Sequence, residues 1–146
     1  MKQYKNPAVT VDIVVFMGGG IVLIKRKNDP FKDMFALPGG FIEYGKETLI
    51  QAAVRELKEE TNLNVKYLLN PLGEYSHPRR DPRGHTITFA YYVELNDTYI
   101  KKLKAKDDAK EVKLFSLLEM PELAFDHAKI IRDAIDKVNE ENYERD

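Results

Sequence analysis

One stretch, residues 39–63, organises the chain, and it reads GGFIEYGKETLIQAAVRELKEETNL. The paired glycines that follow Leu37-Pro38 predict a strand ending in a sharp bend. Thr48 and Gln51 have the spacing of a capping box, so a helix is expected from about Leu49. Apolar residues then recur at helical spacing, at Ile50, Ala53, Val54 and Leu57. The stretch therefore predicts a glycine turn joined to a helix with one apolar face.

Three acids of this helix lie beside its apolar stripe. Glu56 and Glu60 project from one side, and Glu59 lies on the outer flank. Like charges at positions i and i+4 repel, and a hard divalent cation would neutralise them. The alternative is a solvated helix face on which Arg55 and Lys58 act as counter-charges. The helix alone leaves both interpretations open.

Together, the turn and the helix resemble the Nudix box, G-x5-E-x7-R-E-U-x-E-E-x-G-U, in which U is a bulky aliphatic residue. From Glu47 onward the match is in register, and it comprises Glu47, Arg55, Glu56, Leu57, Glu59, Glu60 and Leu63. This resemblance, which spans nearly the whole chain, implies an α/β fold: an α/β/α sandwich around a mixed β-sheet.

The chain departs from the motif at two positions. Six residues instead of five separate Gly40 from Glu47, so either Lys46 is an insertion or Lys46 occupies the acidic position. We favour the insertion, because a shift inside the helix would rotate every carboxylate by about 100°. Asn62 replaces the family's glycine, and asparagine also tolerates a left-handed helix cap.

The resemblance also implies a set of site residues. Mg²⁺, with Mn²⁺ as an alternative, would be held by Glu56 and Glu60, assisted by Glu59 and by the carbonyl of Gly40. Arg55, paired with Glu47, would orient these groups. The general base stays open between Glu56, Glu59 and the acidic segment 107–111, because a sequence gives no distances. Without the family analogy, Asp107, Asp108 and Glu111 are expected to face solvent.

A basic loop, residues 76–85, contains three arginines, two histidines and two prolines. Guanidinium groups pair bidentately with phosphate, so Arg80, Arg83 and His85 are candidates for substrate binding. The alternative is a solvated hairpin tip. Similar loops occur in Nudix enzymes of the ADP-ribose pyrophosphatase type, as does the turn before His127. That histidine serves the site or is a capping or core-edge residue.

The remaining elements follow from hydrophobic patterning. Alternation over residues 9–15 predicts a half-buried strand, which forms a hairpin with residues 21–24. Residues 65–69 are read as extended, 86–93 as the clearest strand, 96–110 as a mobile surface loop and 111–115 as a short strand. A last helix carries an apolar stripe from Ile130 to Val138, with Asp126 as its N-cap and a fraying tail, residues 139–146.

Composition limits the class of protein. A chain of 146 residues with 43% hydrophobic residues is expected to form one domain, 1–146. A net charge of −1 argues against nonspecific nucleic-acid binding, and the absence of cysteine excludes disulfides and thiolate metal sites. No apolar run of membrane-spanning length occurs, so a cytoplasmic protein without membrane contact is expected. A homodimer is left open.

By the resemblance, the reaction is hydrolysis of a nucleoside diphosphate derivative, with ADP-ribose giving AMP and ribose 5-phosphate as first choice. The runner-up is a MutT-type nucleoside triphosphate or dinucleoside polyphosphate hydrolase. A non-catalytic nucleotide-sensing module is the third hypothesis. Regulators of that kind carry a DNA-binding domain, for which this chain is expected to have no room. The intact acidic core of the box favours catalysis.

Overall fold

The computed structural model describes residues 5–106 and 109–145, which form a seven-stranded mixed sheet with two α-helices. The strands are β1 (Ala8–Met17), β2 (Gly20–Arg26), β3 (Phe35–Ala36), β4 (Gly39–Phe41), β5 (Asn70–Tyr75), β6 (Thr86–Leu95) and β7 (Ala109–Ser116). The helices are α1 (Leu49–Thr61) and α2 (His127–Arg145), and two 3₁₀ helices span Lys66–Leu68 and Asp97–Lys102.

Strand β1 lies at the centre of the sheet. It pairs in parallel with β6 along its whole length, from Ala8 opposite Thr86 to Met17 opposite Leu95. On its other side it pairs with β2 only at residues 16 and 17, and β4 takes the place of β2 along residues 10–12. The sheet therefore opens where β1 and β2 diverge, and β4 lies in that opening.

Helix α1 covers one face of the sheet. The capping box predicted at its start is present, since the Thr48 hydroxyl accepts from the Gln51 amide and the Gln51 side chain accepts from the Thr48 amide. Its inner residues pack on β1 in a core that includes Ala52, Ala53 and Leu57. Asn62 ends the helix in the left-handed conformation, with φ of 68°, as its substitution for glycine predicts.

Helix α2 covers the opposite face. Ile130, Ile131 and Ala134 pack there against Val14 and Tyr92 of the sheet. Two helices on opposite faces of a mixed sheet make the α/β/α sandwich that the sequence predicted. Within the part of the chain that the structure describes, no helix is both long and apolar enough to cross a membrane.

Four sequence predictions need correction. Strand β1 is buried on both faces, because Thr10 and Asp12, expected to face solvent, lie against other protein groups. Residues 66–68 form a 3₁₀ helix and not a strand. The expected loop 96–110 contains the second 3₁₀ helix and the start of β7. The tail expected to fray is helical to residue 145, and the Tyr92 hydroxyl donates to Glu141 within it.

Candidate active site

A cleft of about 310 Å³ occupies the opening between β1 and β2. Three kinds of groups line it. Acids of α1 and the glycine turn form one wall, and guanidinium groups and two phenylalanine rings form another. Buried polar residues of β1 and α2 form its floor. Such a mixture of charges suits a polar, anionic ligand better than an apolar one.

The acidic wall brings together three of the predicted metal-binding residues. A Cβ atom added at Gly40 would lie 2.6 Å from Oε1 of Glu56, so the missing side chain lets this carboxylate approach the backbone. The Gly39 amide donates to Oε1 of Glu60, which is buried, at 3.4 Å. Glu59 does not line the cleft, and its side chain is 42% exposed. Burial raises the pKa of Glu56 to about 7.

Arg55 ties the glycine turn to α1. Its Nε and Nη2 donate to Oε2 and Oε1 of Glu47 at 2.9 and 2.7 Å, and its Nη1 donates to Glu56 at 2.9 Å and to Glu59 at 3.1 Å. Nη2 also donates to the carbonyl of Phe41 at 3.1 Å. One guanidinium thus fixes the orientation of three carboxylates and the end of β4.

The loop before α1 shows which residue occupies the acidic position of the motif. Glu47, and not Lys46, pairs with Arg55, and Glu47 Oε1 also accepts from the Glu43 amide at 2.8 Å. Lys46 lies in an exposed turn in which its amide donates to the Glu43 carbonyl and Gly45 has φ of 73°. This is the arrangement that an inserted Lys46 predicts.

The oxygen donors on this wall fit a hard divalent cation. Two carboxylates, Glu56 and Glu60, lie beside the backbone of Gly39 and Gly40. Across residues 5–106 and 109–145, no group of three His, Cys, Asp or Glu side chains stands ready-made as a metal site. Glu56 is also paired with Arg55, whose Nη1 lies 2.9 Å from its Oε1.

Arg80 lies in the cleft wall, but it is committed to a carboxylate. Its Nη2 and Nε donate to Oδ1 and Oδ2 of Asp126 at 2.7 and 2.9 Å, its Nη1 donates to Thr86, and its side chain is only 4% exposed. Both carboxylate oxygens of Asp126 thus accept from Arg80. Asp126 also occupies the predicted N-cap position, because it directly precedes α2 and its carbonyl accepts from the Ile130 amide at 3.3 Å. This ion pair ties the basic loop to the start of α2.

Arg83 of the same loop is more accessible than Arg80, with 43% of its side chain exposed. Asp81 holds it through two contacts of 3.1 and 2.8 Å, and its guanidinium lies 5.0 Å from the ring centre of Phe41 and 5.8 Å from that of Phe125. Arg26 lies 4.9 Å from the same Phe125 ring. Two guanidinium groups therefore share one aromatic ring at the cleft.

Arg26 was not identified from the sequence. Its Nε donates to the Pro30 carbonyl at 2.7 Å, and the charges of Glu60, Asp81 and Asp12, which also line the cleft, act on its guanidinium. Burial and the positive charge of Arg83 lower its pKa. No sequence motif distinguished it from the neighbouring basic residues, and only the fold turns it toward the cleft.

The floor of the cleft contains Asp12 and His127, both buried. Asp12 was expected on a solvent-facing strand position, and the pattern of β1 gave no sign of its role. His127 is the first residue of α2, and it lines the cleft as a buried side chain. His85, in contrast, does not line the cleft. Its Nε2 lies 2.9 Å from the Ser76 carbonyl.

The acidic segment before β7 adds no observed group to the cleft. Asp107 and Asp108 lie outside the described residues, and Glu111 is an exposed residue of β7 that does not line the cleft. Of the candidate bases that the structure describes, only Glu56 borders the cleft.

Comparison with known proteins gives consistent results. The family model described as NUDIX domain matches residues 6–134. An ADP-ribose pyrophosphatase of Methanocaldococcus jannaschii is 54% identical over 132 residues, which are 90% of this chain and 75% of that protein. The ADPR-responsive transcriptional repressor NtrR of Acinetobacter baylyi is 33% identical over 143 residues, and the chain spans 56% of its length.

Among solved structures, the NUDIX domain of Shewanella oneidensis NrtR, complexed with ADP ribose, superposes with a TM-score of 0.83. It is 31% identical and covers 92% of this chain and 90% of its own. With the family model matching most of the chain, and with Glu56 and Glu60 of the box lining the cleft, the chain belongs to the Nudix family and is a Nudix pyrophosphohydrolase.

Proposed function

We propose that this protein hydrolyses the diphosphate bond of ADP-ribose to give AMP and ribose 5-phosphate, with Mg²⁺ as its cofactor. The observation that carries the proposal is the arrangement of charges in the cleft. Carboxylates that can hold a cation form one wall, and the guanidinium groups of Arg26 and Arg83 form another. A diphosphate bridging the two would be neutralised from both sides. The 54% identity to an ADP-ribose pyrophosphatase supports this substrate.

Pyrophosphohydrolases of the Nudix family use a divalent cation, and Glu56, Glu60 and the Gly40 carbonyl would hold it here. When bound, the cation supplies charge neutralisation of the diphosphate and activation of a water. Hydrolysis adds water across one P–O bond: its hydroxyl goes to phosphorus, and its proton goes to the base and then to the leaving phosphate. Arg55 keeps Glu47, Glu56 and Glu59 in position. Glu56 is the favoured base, because it alone of the described candidates borders the cleft.

The arginines divide into two roles. Arg83 is exposed at the cleft, and Arg26 lines it, so both can pair with phosphate oxygens. Arg80 is buried against Asp126 and supports the basic loop. The rings of Phe41 and Phe125 offer apolar surface for a flat group such as a nucleobase.

A second candidate function is nucleotide sensing without hydrolysis. The similarity to the repressor of Acinetobacter baylyi favours it, because that protein is described as responsive to ADPR. A MutT-type triphosphate or dinucleoside polyphosphate substrate is the third candidate. The assembled box, in which Arg55 orients three glutamates, favours catalysis over sensing.

A substrate panel tests these alternatives. ADP-ribose, other nucleoside diphosphate sugars, nucleoside triphosphates and dinucleoside polyphosphates are each incubated with Mg²⁺ or Mn²⁺, and products are separated by chromatography. We expect AMP and ribose 5-phosphate from ADP-ribose at the highest kcat/KM, and no products with EDTA. Calorimetric binding of ADP-ribose without any AMP would establish the sensing function instead. Faster release of pyrophosphate from a triphosphate would establish the MutT-type function.

The assembly and location of the protein stay predictions. A cytoplasmic location and the absence of a nucleic-acid partner are expected from the sequence, which leaves a homodimer open. Light scattering at micromolar concentration tests for a homodimer, and a gel-shift assay with duplex DNA tests for nucleic-acid binding.

A further inference from the structure

A buried hydrogen-bonded chain underlies the glycine turn. His127, 4% exposed, accepts at Nδ1 from the Leu37 amide at 3.0 Å, and its Nε2 lies 3.4 Å from Oδ1 of Asp12. The Thr88 hydroxyl donates to the other oxygen of Asp12 at 2.6 Å. Three elements, β1, β6 and α2, thus converge on the segment that leads into β4.

The direction of these bonds fixes the state of the ring. Because Nδ1 accepts from an amide, it carries a lone pair, and the ring proton lies on Nε2, which faces the Asp12 carboxylate. Burial lowers the pKa of His127, so the neutral ring is the stable form. His127 therefore connects an amide to a carboxylate as a neutral bridge.

This bridge ends beside the groups that would hold the cation. Leu37 is two residues before Gly39, and a Cβ at Gly39 would lie 2.6 Å from Oδ1 of Asp12. The Gly39 amide in turn donates to Glu60 at 3.4 Å, and Gly40 lies against Glu56. Asp12 thus contacts the glycine turn on the face opposite to the acids of α1.

We propose that Asp12 and His127 are positioning residues, which hold the segment 37–40 so that its backbone meets the metal-binding carboxylates of α1. This inference rests on the proposed metal site, but it assigns a role to two residues outside the Nudix box. Neither residue touches the cation. Each acts through the glycine turn, His127 by its bond to Leu37 and Asp12 by its contact with Gly39.

The size of the effect follows from one tethering hydrogen bond. A neutral hydrogen bond contributes about 1 kcal/mol net, which corresponds to a change in an equilibrium constant of roughly five-fold. If the tether improves cation binding by that factor, cation binding must strengthen the tether by the same factor. The inference therefore predicts an effect on metal affinity and an equal effect on the Leu37 amide.

Two substitutions at one position separate tethering from general packing. In His127→Asn, the amide oxygen replaces Nδ1 and can still accept from Leu37. In His127→Gln, the amide nitrogen replaces Nε2, so the Asp12 contact can persist while the Leu37 bond is lost. Tyr75→Phe is the control, because it removes a hydrogen bond of 2.7 Å between the sheet and Asp133 of α2 that does not involve the cleft.

The measurement is the dissociation constant for Mn²⁺ alone, obtained by electron paramagnetic resonance, with thermal melting alongside. We expect about 3- to 10-fold weaker binding for His127→Gln and a change below about two-fold for His127→Asn and Tyr75→Phe. Equal affinities in all variants, or equal losses in both His127 variants, would overturn the inference. If the unmodified protein binds no Mn²⁺, the proposed function is wrong. If it binds Mn²⁺ and the His127 variants do not differ as expected, only the positioning role is wrong.

A second measurement needs no variant and covers the case in which His127→Gln does not fold. Amide hydrogen exchange of Leu37 is followed in the unmodified protein with and without saturating Mg²⁺. We expect exchange at Leu37 to slow by about 3- to 10-fold on Mg²⁺ binding, while the Gly73 amide on distant β5 keeps its rate. An unchanged Leu37 rate under saturating Mg²⁺ would contradict the coupling.

Discussion

Glu47→Gln is the sharpest test of how the box is built, because the structure pairs Glu47 with Arg55 through two contacts of 2.9 and 2.7 Å. Glutamine keeps one acceptor and loses the charge, so the variant should lose about 1–2 kcal/mol of unfolding free energy. For a chain of this size that is a fall in Tm of about 3–6 °C. Glu43→Gln is the matched control: its carboxylate is 3.7 Å from Arg55 and 52% exposed, and its loss should cost at most about 0.5 kcal/mol.

The same comparison has a defined pH dependence. The hydrogen bond from Arg55 lowers the pKa of Glu47 in the folded state. Its stabilisation is therefore fully present above the unfolded-state pKa of about 4.3 and disappears as the pH falls through the lowered folded value. In urea titrations, the unfolding free energies of Glu47→Gln and the parent should differ clearly at pH 7 and only slightly at about pH 3. A control variant as damaging as Glu47→Gln, or a difference that persists in acid, would refute the assigned pairing.

Three further outcomes are expected. Glu60→Gln should abolish turnover at saturating Mg²⁺ while Tm changes little, and near-parental kcat would remove Glu60 from the metal site. Arg83→Ala should lower kcat/KM for ADP-ribose by about 10-fold or more at a temperature where the variant is still folded, although it also leaves buried Asp81 without its partner; Arg80→Ala, which leaves Asp126 without its partner, should mainly destabilise the fold, by about 3 kcal/mol in urea titrations, with a smaller effect on kcat/KM. The reverse pattern would exchange their roles. Deleting Lys46 should be tolerated in both activity and Tm, since it shortens an exposed turn, and a damaging deletion would contradict the insertion.

The features that the sequence predicted are those encoded by near neighbours. The capping box joins residues three apart, and the apolar stripe of α1 repeats within one helix, so Thr48 and Leu57 were identified from local pattern. The box acids, similarly, follow from helical geometry once their register is known. Glu47 required one further step, a choice between insertion and shift, and the observed pairing with Arg55 agrees with the insertion.

The features that the sequence missed depend on contacts between distant residues. His127 meets Leu37 across 90 positions, and Thr88 meets Asp12 across 76. A polar residue alternating with valines in a strand predicts a solvent-facing side when nothing shows what covers that side. Arg80 illustrates the same limit, because its charge was visible in the sequence but its partner, 46 positions away, was not.

The neighbouring glycines of β4 allow carboxylates to approach this strand from both faces of the sheet. Side chains at 39 and 40 would point to opposite faces, one toward Asp12 and the other toward Glu56, and each would come within 2.6 Å of a carboxylate oxygen. Both positions are therefore closed to substitution by occupied space. Alanine at 40 would displace the acids of α1 while every charged group stayed in the chain, and alanine at 39 would do the same to the floor of the cleft. The protein can lose its site there without losing a single functional group.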